Sequence, residues 1–204
     1  EEKEDKIYIS SNVNEIFATT EVNQFFTNTS QIPIELVLFF PIIEEINLTK
    51  FLVTIGNKTV ISKVLSKEKA EEKYEDSMAS GNIGILSSYD NLMSSYSVSI
   101  GNIQPGQKVK LTSSFIQMIG SEDMSYEFNI MSKYPSFNCA NLNEDNPLSK
   151  IIKANIVIKT QSKLTRLIAP FMDESAKLNS TYNVEFSQEN KQANIYYEMS
   201  IENR

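Results

Sequence analysis

The feature that most constrains this chain is one charged helical pattern enclosed by stretches with β-strand alternation. Residues Lys67 to Ser80 are mostly strong helix formers, and Ala70, Tyr74 and Met78 recur every fourth residue as a single apolar stripe. Gly81 stands where a glycine commonly ends a helix in the left-handed conformation. The pattern predicts one short amphipathic helix packed against a protein that is otherwise built of strands.

Alternation with a period of two dominates the rest of the sequence and predicts antiparallel β-strands. The apolar run from Ile34 to Phe40 is typical of a strand buried on both faces and ended by Pro41, which has no N–H to donate. Gly56-Asn57 separates two strand-like runs and predicts a hairpin turn. We also expect a strand over residues 13–19.

The domain organisation follows from a polar stretch between residues 132 and 146, which is rich in Asn and Pro. It predicts a long loop and a boundary between two units, residues 1–131 and 132–204. Many short strands with one helix favour an all-β antiparallel sandwich over a βαβ sheet. We expect that sandwich in the first unit and a second β-rich unit after it, with one of its strands at residues 164–168.

Composition excludes several classes of function. The 204 residues carry a formal net charge of −7, which argues against nucleic-acid binding and against docking on anionic membranes. Histidine is absent, so the usual general base and the commonest metal ligand are missing. No apolar run approaches roughly 18 residues, so we expect no membrane insertion. Cys139 is the only cysteine, which favours a cytoplasmic location over secretion.

Candidate sites for chemistry are weak. The G-N-I-Q-P-G string that begins at Gly101 lacks the lysine of a phosphate loop, and Pro105-Gly106 fits the centre of a type II turn instead. Two D-x-S segments, at Asp123 and Asp173, fail at the fifth residue of the D-x-S-x-S metal motif. The acidic loop at residues 141–146 lacks EF-hand spacing. We therefore expect no catalytic residue, no metal and no cofactor.

Four strings of this sequence, taken together and in order, resemble the VIT domain, the module shared by inter-α-trypsin inhibitor heavy chains, vault-associated poly(ADP-ribose) polymerase and intracellular von Willebrand A proteins. They are an aromatic-x-Asn strand ending, an F-P step, a helix of the form KxxAxxxYxxAxxxG and a G-N-I-x-P-G turn. One departure is Ser77, where the family pattern has alanine. The motif positions are Phe26, Asn28, Pro41, Ala70, Tyr74, Gly81, Gly101, Asn102, Pro105 and Gly106.

The resemblance also bears on function. Residues 124–201 resemble the β-rich segment that family members place before a von Willebrand A domain, so we expect the natural protein to continue beyond Arg204. The resemblance implies a non-catalytic protein–protein interaction and scaffold module at the N-terminal side of a larger protein. Its partners would be other proteins, including a downstream von Willebrand A domain in the same polypeptide. The candidate surfaces are the 67–80 helix and the exposed sheet edges.

Two alternatives remain open at this point. The first alternative to such a scaffold is the regulatory VIT module of an ADP-ribosylating enzyme whose catalytic domain lies outside this chain. A secreted matrix-binding protein is the second alternative, and it predicts glycans on the N-x-S/T sequons. These sequons lie at Asn28, Asn47, Asn57 and Asn179.

Overall fold

Strands make up most of the protein, and one helix interrupts their succession. The computed structural model describes residues 6–41, 46–61, 67–90, 95–122, 125–129, 136–139, 151–168, 180–187 and 189–200. The elements of this part are β1 Lys6–Val13, β2 Phe17–Thr27, β3 Ile34–Pro41, β4 Ile46–Ile55, β5 Lys58–Ile61, α1 Lys67–Ala79, β6 Gly84–Asp90, β7 Ser95–Ile103, β8 Lys108–Met118, β9 Gly120–Glu122, β10 Ser125–Glu127, β11 Ser136–Cys139, β12 Ile151–Lys159, β13 Ser180–Phe186 and β14 Gln192–Ser200.

The larger sheet has eight strands in the order β13-β14-β12-β1-β2-β8-β4-β5. Its pairings are antiparallel except for β1 and β12, which run parallel with Lys6 opposite Ile151 and Val13 opposite Ile158. The strands beyond residue 150 therefore extend the same sheet as those of the first half. The boundary between residues 131 and 132 stays a prediction.

The smaller sheet has four strands in the order β11-β3-β7-β6, and β9 pairs with β10 in a separate two-stranded ribbon. Inward-facing side chains of the larger and the smaller sheet belong to one buried cluster, which makes the two sheets a sandwich. The predicted all-β sandwich with one short helix is confirmed. The largest side chains buried almost completely are Ile34, Leu36, Leu38, Ile100, Ile103, Leu111 and Gln24.

The alternating strand pattern decides which side chains reach this core. In β3, Leu36 and Leu38 are fully buried, while Glu35 and Val37, which alternate with them, are only partly buried on the opposite face. Pro41, the predicted end of this strand, is its last described residue. The predicted hairpin is also confirmed, because β4 and β5 pair across a turn that contains Gly56, whose φ is +56°.

Three local expectations are wrong. Residues 13–19 do not form one strand, because β1 ends at Val13 and the Asn14 N–H donates to the Phe17 carbonyl, 2.9 Å away, across a turn. Asn and Asp favour such turns, and the apolar residues on either side masked that signal. Residues 164–168 form no strand; there the Leu164 N–H donates to the Asn190 carbonyl at 2.7 Å.

The third expectation concerns the loop predicted between residues 132 and 146. Strand β11 lies inside this stretch and pairs antiparallel with β3, with Phe137 opposite Leu38. Its partner is about a hundred residues away in sequence, so local composition could not reveal it. The other residues of the predicted loop lie outside the described part.

Replacing Leu36 with alanine should lower the free energy of unfolding by about 2–5 kcal/mol, because the side chain is fully buried between the sheets and leaves a cavity. Urea denaturation measures this loss. Val60→Ala is the control, since that side chain is 44% exposed on an edge strand and should cost less than about 1 kcal/mol. Equal losses in the two variants would contradict the sandwich core.

Candidate functional site

Helix α1 lies against two glycines that face each other on neighbouring strands. Gly84 of β6 pairs with Gly101 of β7. A Cβ atom at Gly84 would come within 2.9 Å of the Tyr74 ring, and one at Gly101 would overlap the Met78 sulfur and lie 3.0 Å from the Tyr74 hydroxyl. Because neither glycine has a side chain, the two positions leave a channel in the sheet surface, and the apolar stripe of the helix lies in it.

The stripe itself is the sheet-facing side of the helix. Ala70, Tyr74 and Met78 are all partly buried, whereas Glu72 and Lys73 between them are exposed. The charged residues give the helix its solvated face, and the apolar stripe gives it its attachment. The structure thus brings Tyr74 and Met78 of this stripe against Gly101.

Tyr74 also ties the helix to a third strand. Its hydroxyl donates a hydrogen bond to the Glu35 carboxylate on β3 at 2.6 Å. Partial burial, followed by the hydrogen bond to Glu35 and the negative charge of that carboxylate, raises the pKa of Tyr74 above its ordinary value. One side chain therefore packs on the glycine pair through its ring and bonds β3 through its hydroxyl.

The end of the helix is fixed by a Schellman motif. Gly81 has a φ of +69°, its N–H donates to the Met78 carbonyl at 3.1 Å, and the Asn82 N–H donates to the Ser77 carbonyl at 2.8 Å. The Asn102 side chain on β7 then donates to the carbonyls of Met78, at 3.2 Å, and of Asn82, at 2.8 Å. Gly81 and Asn102 thus terminate the helix and hold its end against the sheet.

A second cluster of motif residues surrounds Asn28, whose side chain is completely buried. Its amide nitrogen donates to the carbonyls of Ile32, at 2.9 Å, and Ile103, at 2.8 Å. Its amide oxygen accepts from the Ser30 N–H at 3.0 Å and the Ser30 hydroxyl at 2.6 Å. Because the amide is buried and fully bonded, the sequon at Asn28 has no room for a glycan in this fold.

The turn after β7 joins the Asn28 cluster. The Gln107 N–H donates to the Gln104 carbonyl at 3.0 Å, and Pro105 and Gly106 lie between them, with a φ of +74° at Gly106. A positive φ at that position is what a type II turn requires. The Gly106 N–H donates to the Asn28 carbonyl at 2.8 Å, so the turn supports the end of β2 and leads into a strand.

The remaining motif residues stand apart from both clusters. Phe26 is partly buried and packs against the core, and Pro41 occupies the last position of β3 opposite Ser95. Sequence reasoning missed Gly84 and Glu35, which receive the helix. A charged Glu35 inside an otherwise apolar run was the available signal for a partner on the outer face of the sheet.

The described residues hold no arrangement suited to metal binding. No three of their Cys, Asp and Glu side chains converge on one point. Asp123, Asp173 and the acidic loop at 141–146 lie outside the described part. The described helix is also too short and too polar to cross a membrane.

A lysine, a tyrosine and a glutamate on the outer face of the larger sheet contact one another. Lys153 Nζ is 2.8 Å from a Glu198 carboxylate oxygen, and the Tyr196 hydroxyl donates to the same oxygen at 2.6 Å. The hydrogen bond from Lys153, followed by that from Tyr196, lowers the pKa of Glu198. The group links β12 to β14 at a partly exposed position, where such pairs contribute little stability.

The sheet edges remain as candidate interaction surfaces. In the described part, β5 and β13 border the larger sheet, and β11 and β6 border the smaller one. All four residues of β5 are exposed, including the apolar Val60 at 44% and Ile61 at 54%. An exposed edge strand with apolar side chains offers unpaired backbone groups to another strand.

Comparisons with known proteins agree with the motif clusters. The profile of the vault protein inter-alpha-trypsin domain, VIT, matches residues 5–115. Von Willebrand factor A domain-containing protein 5A of Rattus norvegicus is 27% identical over 117 residues, which are 57% of this chain and 14% of that protein. A von Willebrand factor A domain-containing protein of Dictyostelium discoideum is 30% identical over 172 residues, 84% of this chain and 18% of that protein.

A third relative has a different name. Protein mono-ADP-ribosyltransferase PARP4 of Mus musculus is 29% identical over 112 residues, 55% of this chain and 6% of that protein. The chain therefore spans less than a fifth of the length of these relatives. Among solved structures, the collagen-binding domain of a Staphylococcus aureus adhesin aligns over 55% of this chain and 73% of its own, at 10% identity and a TM-score of 0.33.

Replacing Gly101 with alanine should lower the free energy of unfolding by about 1–3 kcal/mol, because the new methyl group occupies the site of the Met78 sulfur. In the double variant with Met78→Ala, the loss should be smaller than the sum of the two single losses. Gly120→Ala is the matched control, since a Cβ atom at that position would have nothing within 4 Å of it. Additive losses, measured by urea denaturation, would contradict the contact.

Tyr74→Phe should cost about 1 kcal/mol near neutral pH through the lost hydrogen bond to Glu35. Because the pKa of Tyr74 is raised in the folded state, its hydroxyl stays protonated to a higher pH there than in the unfolded state. In the unfolded state the pKa of tyrosine is about 10. Stability from this group is complete below that pH and is lost as the pH rises further. The variant should therefore lose stability less steeply in alkaline solution.

The measurement is urea denaturation at a series of alkaline pH values. Tyr126→Phe is the control, because it removes the same hydroxyl group from a side chain that is 55% exposed. It should leave the alkaline slope unchanged. Parallel slopes for wild type and Tyr74→Phe would show that the helix does not bond β3 in this way.

Proposed function

The chain belongs to the family of vault protein inter-alpha-trypsin (VIT) domains, and from that membership we propose that it is a non-catalytic scaffold module. It would act by binding other proteins. The observation that carries this proposal is the exposed edge strand β5, where Val60 and Ile61 lie on opposite faces of an edge that pairs with no further strand among the described residues. Such an edge supports recognition by the addition of a partner strand.

The edge is physically suited to this role. Val60 stands opposite Val53, whose side chain points into the core, and Ile61 stands opposite Leu52 on the outer face. A partner strand along β5 would extend both layers of side chains while its backbone completes the hydrogen bonds of the edge. The hydrogen bond between the Thr54 and Thr59 hydroxyls, 3.0 Å long, fixes β5 to β4.

The relatives suggest the setting of this module. Those named for a von Willebrand factor A domain are far longer than the matched segment. We propose that this chain positions such a domain within one polypeptide and presents its free edge to a separate protein. We place it in the cytoplasm, because one cysteine in 204 residues fits a reducing compartment.

A second candidate function is favoured by one observation, the match to protein mono-ADP-ribosyltransferase PARP4. In that setting the module would regulate an enzyme whose catalytic domain lies outside this chain. Deleting the module from the full-length protein distinguishes the two candidates. A change in NAD consumption supports regulation, whereas a protein that consumes no NAD supports the scaffold.

The scaffold proposal is tested by introducing charge on the edge. Val60→Lys combined with Ile61→Lys should abolish the binding of partner proteins, because lysines on an edge oppose pairing with another strand. Both side chains are exposed, so the melting temperature should stay within a few degrees of wild type. Partners are quantified by cross-linking and mass spectrometry with the full-length protein.

The matched control is Ile32→Lys, because Ile32 is 54% exposed, as is Ile61, and lies in the loop before β3 and not in an edge strand. It should retain the partners of the wild-type protein. If the edge variant retains all of them as well, β5 is not the interaction surface and the proposal loses its support.

A further inference from the structure

Helix α1 is attached to the smaller sheet through the thioether of Met78. The thioether lies so close to β7 that a Cβ atom at Gly101 would overlap the sulfur and come within 2.7 Å of the Met78 Cε atom. We propose that Met78 is a site of reversible oxidation and that its sulfoxide loosens α1 from the sheet. The proposal rests on this contact and does not depend on the binding of partners at β5.

The channel on the sheet suits a thioether and does not suit a sulfoxide. Oxidation adds one oxygen atom to the sulfur and makes an apolar side chain polar. The Tyr74 hydroxyl, which lies 3.0 Å from the same Cβ position, already donates its one proton to Glu35 at 2.6 Å. The new oxygen therefore receives no hydrogen bond from Tyr74, and burying it in the channel is unfavourable.

The backbone of Met78 takes part in the same attachment. Its carbonyl accepts hydrogen bonds from the Gly81 N–H at 3.1 Å and from the Asn102 side chain at 3.2 Å. Because the side chain and the carbonyl belong to one residue, moving the side chain out of the channel also disturbs these two bonds. The helix has 13 residues, which is too few for stability alone in water, so a helix that leaves the sheet also unfolds.

Met78 is within reach of a small oxidant, because it is only partly buried and lies in the last turn of a surface helix. Hydrogen peroxide transfers one oxygen atom to the sulfur: its O–O bond breaks, an S–O bond forms and water leaves. The sulfur is oxidised by two electrons and the peroxide is reduced by two. A dithiol-dependent reductase reverses the step, since the oxygen leaves as water while two thiols of the reductase form a disulfide.

Loosening the helix changes the outer face of the smaller sheet. Gly84, Gly101 and the Glu35 carboxylate all lie against the helix, so they become exposed when it detaches. Gly84 is the first residue of β6, which borders this sheet in the described part of the chain. The buried cluster between the two sheets is built from other side chains and stays intact. The oxidised protein therefore presents a different surface on an unchanged core.

The test is hydrogen–deuterium exchange of the purified chain before and after treatment with hydrogen peroxide, with the oxidation of each methionine quantified by mass spectrometry. The protection of backbone amides in α1 should fall by about tenfold or more once Met78 is oxidised. The amide of Leu111 in β8 should keep its protection, because that residue is fully buried in the core. Trypsin should also cleave faster after Lys69 and Lys73, which are exposed on the helix.

Two substitutions at Met78 separate this contact from other oxidative damage. Met78→Leu keeps an apolar side chain of similar volume that peroxide does not oxidise, so its helix should stay protected after treatment. Met78→Gln places a polar group in the channel, so its helix should lose protection without any oxidant. Met118→Leu is the matched control, because Met118 is 59% exposed on β8 of the larger sheet, and it should respond to peroxide as wild type does. Cys139, the single cysteine, is present in every variant, so its oxidation does not distinguish them.

Treatment of the oxidised wild-type protein with methionine sulfoxide reductase and dithiothreitol should restore the protection of α1. The proposal is overturned if Met78→Leu loses as much protection under peroxide as wild type does, or if α1 stays protected with Met78 fully oxidised. It also fails if Met78 resists an excess of peroxide that converts Met118 completely, or if β8 loses protection together with α1. An untreated helix that exchanges as fast as an unfolded peptide would show that α1 is not attached in this way.

Discussion

The close approach of helix α1 to the glycine pair on β6 and β7 is the contact on which the outer side of the smaller sheet depends. Gly84 and Gly101 leave a channel that Tyr74 and Met78 fill, and a Cβ atom at Gly101 would force the Met78 side chain out of its present position. The helix is too short to be stable alone in water, so this contact is also what keeps it folded. The sheet covers only the apolar face of the helix, so the charged face stays exposed to solvent.

The second constraint is the buried amide of Asn28, which connects segments that are distant in sequence. Its bond to the Ile103 carbonyl joins the end of β2 to the end of β7, and its backbone carbonyl accepts from Gly106 in the next turn. A buried amide that lost one of these partners would carry the cost of an unmade hydrogen bond, which explains why a polar side chain is stable there. Asn102 has the same function at the end of the helix, so the two asparagines bring both motif clusters to the same strand, β7.

Local features could be predicted from the sequence, and pairings between distant segments could not. The stripe of Tyr74 and Met78 and the turn at Gly106 depend on neighbouring residues, so their patterns indicated a helix and a turn that the structure contains. The parallel pairing of β1 with β12 joins Lys6 to Ile151, and nothing near either residue signals the other. For the same reason the target of the helix, Gly84, was missed although the helix itself was expected.

The motif residues and the proposed binding residues are largely separate sets, and that separation has a physical basis. Most motif side chains are buried or partly buried where two elements meet, so replacing them changes the fold before it changes any surface. The edge strand β5 instead faces solvent, where substitutions are tolerated and partner chemistry can change. Identities of 27–30% between this chain and its relatives fit such a division, since one scaffold can hold different surfaces. Family membership therefore fixes how this chain folds, while its partner must be found from the exposed residues.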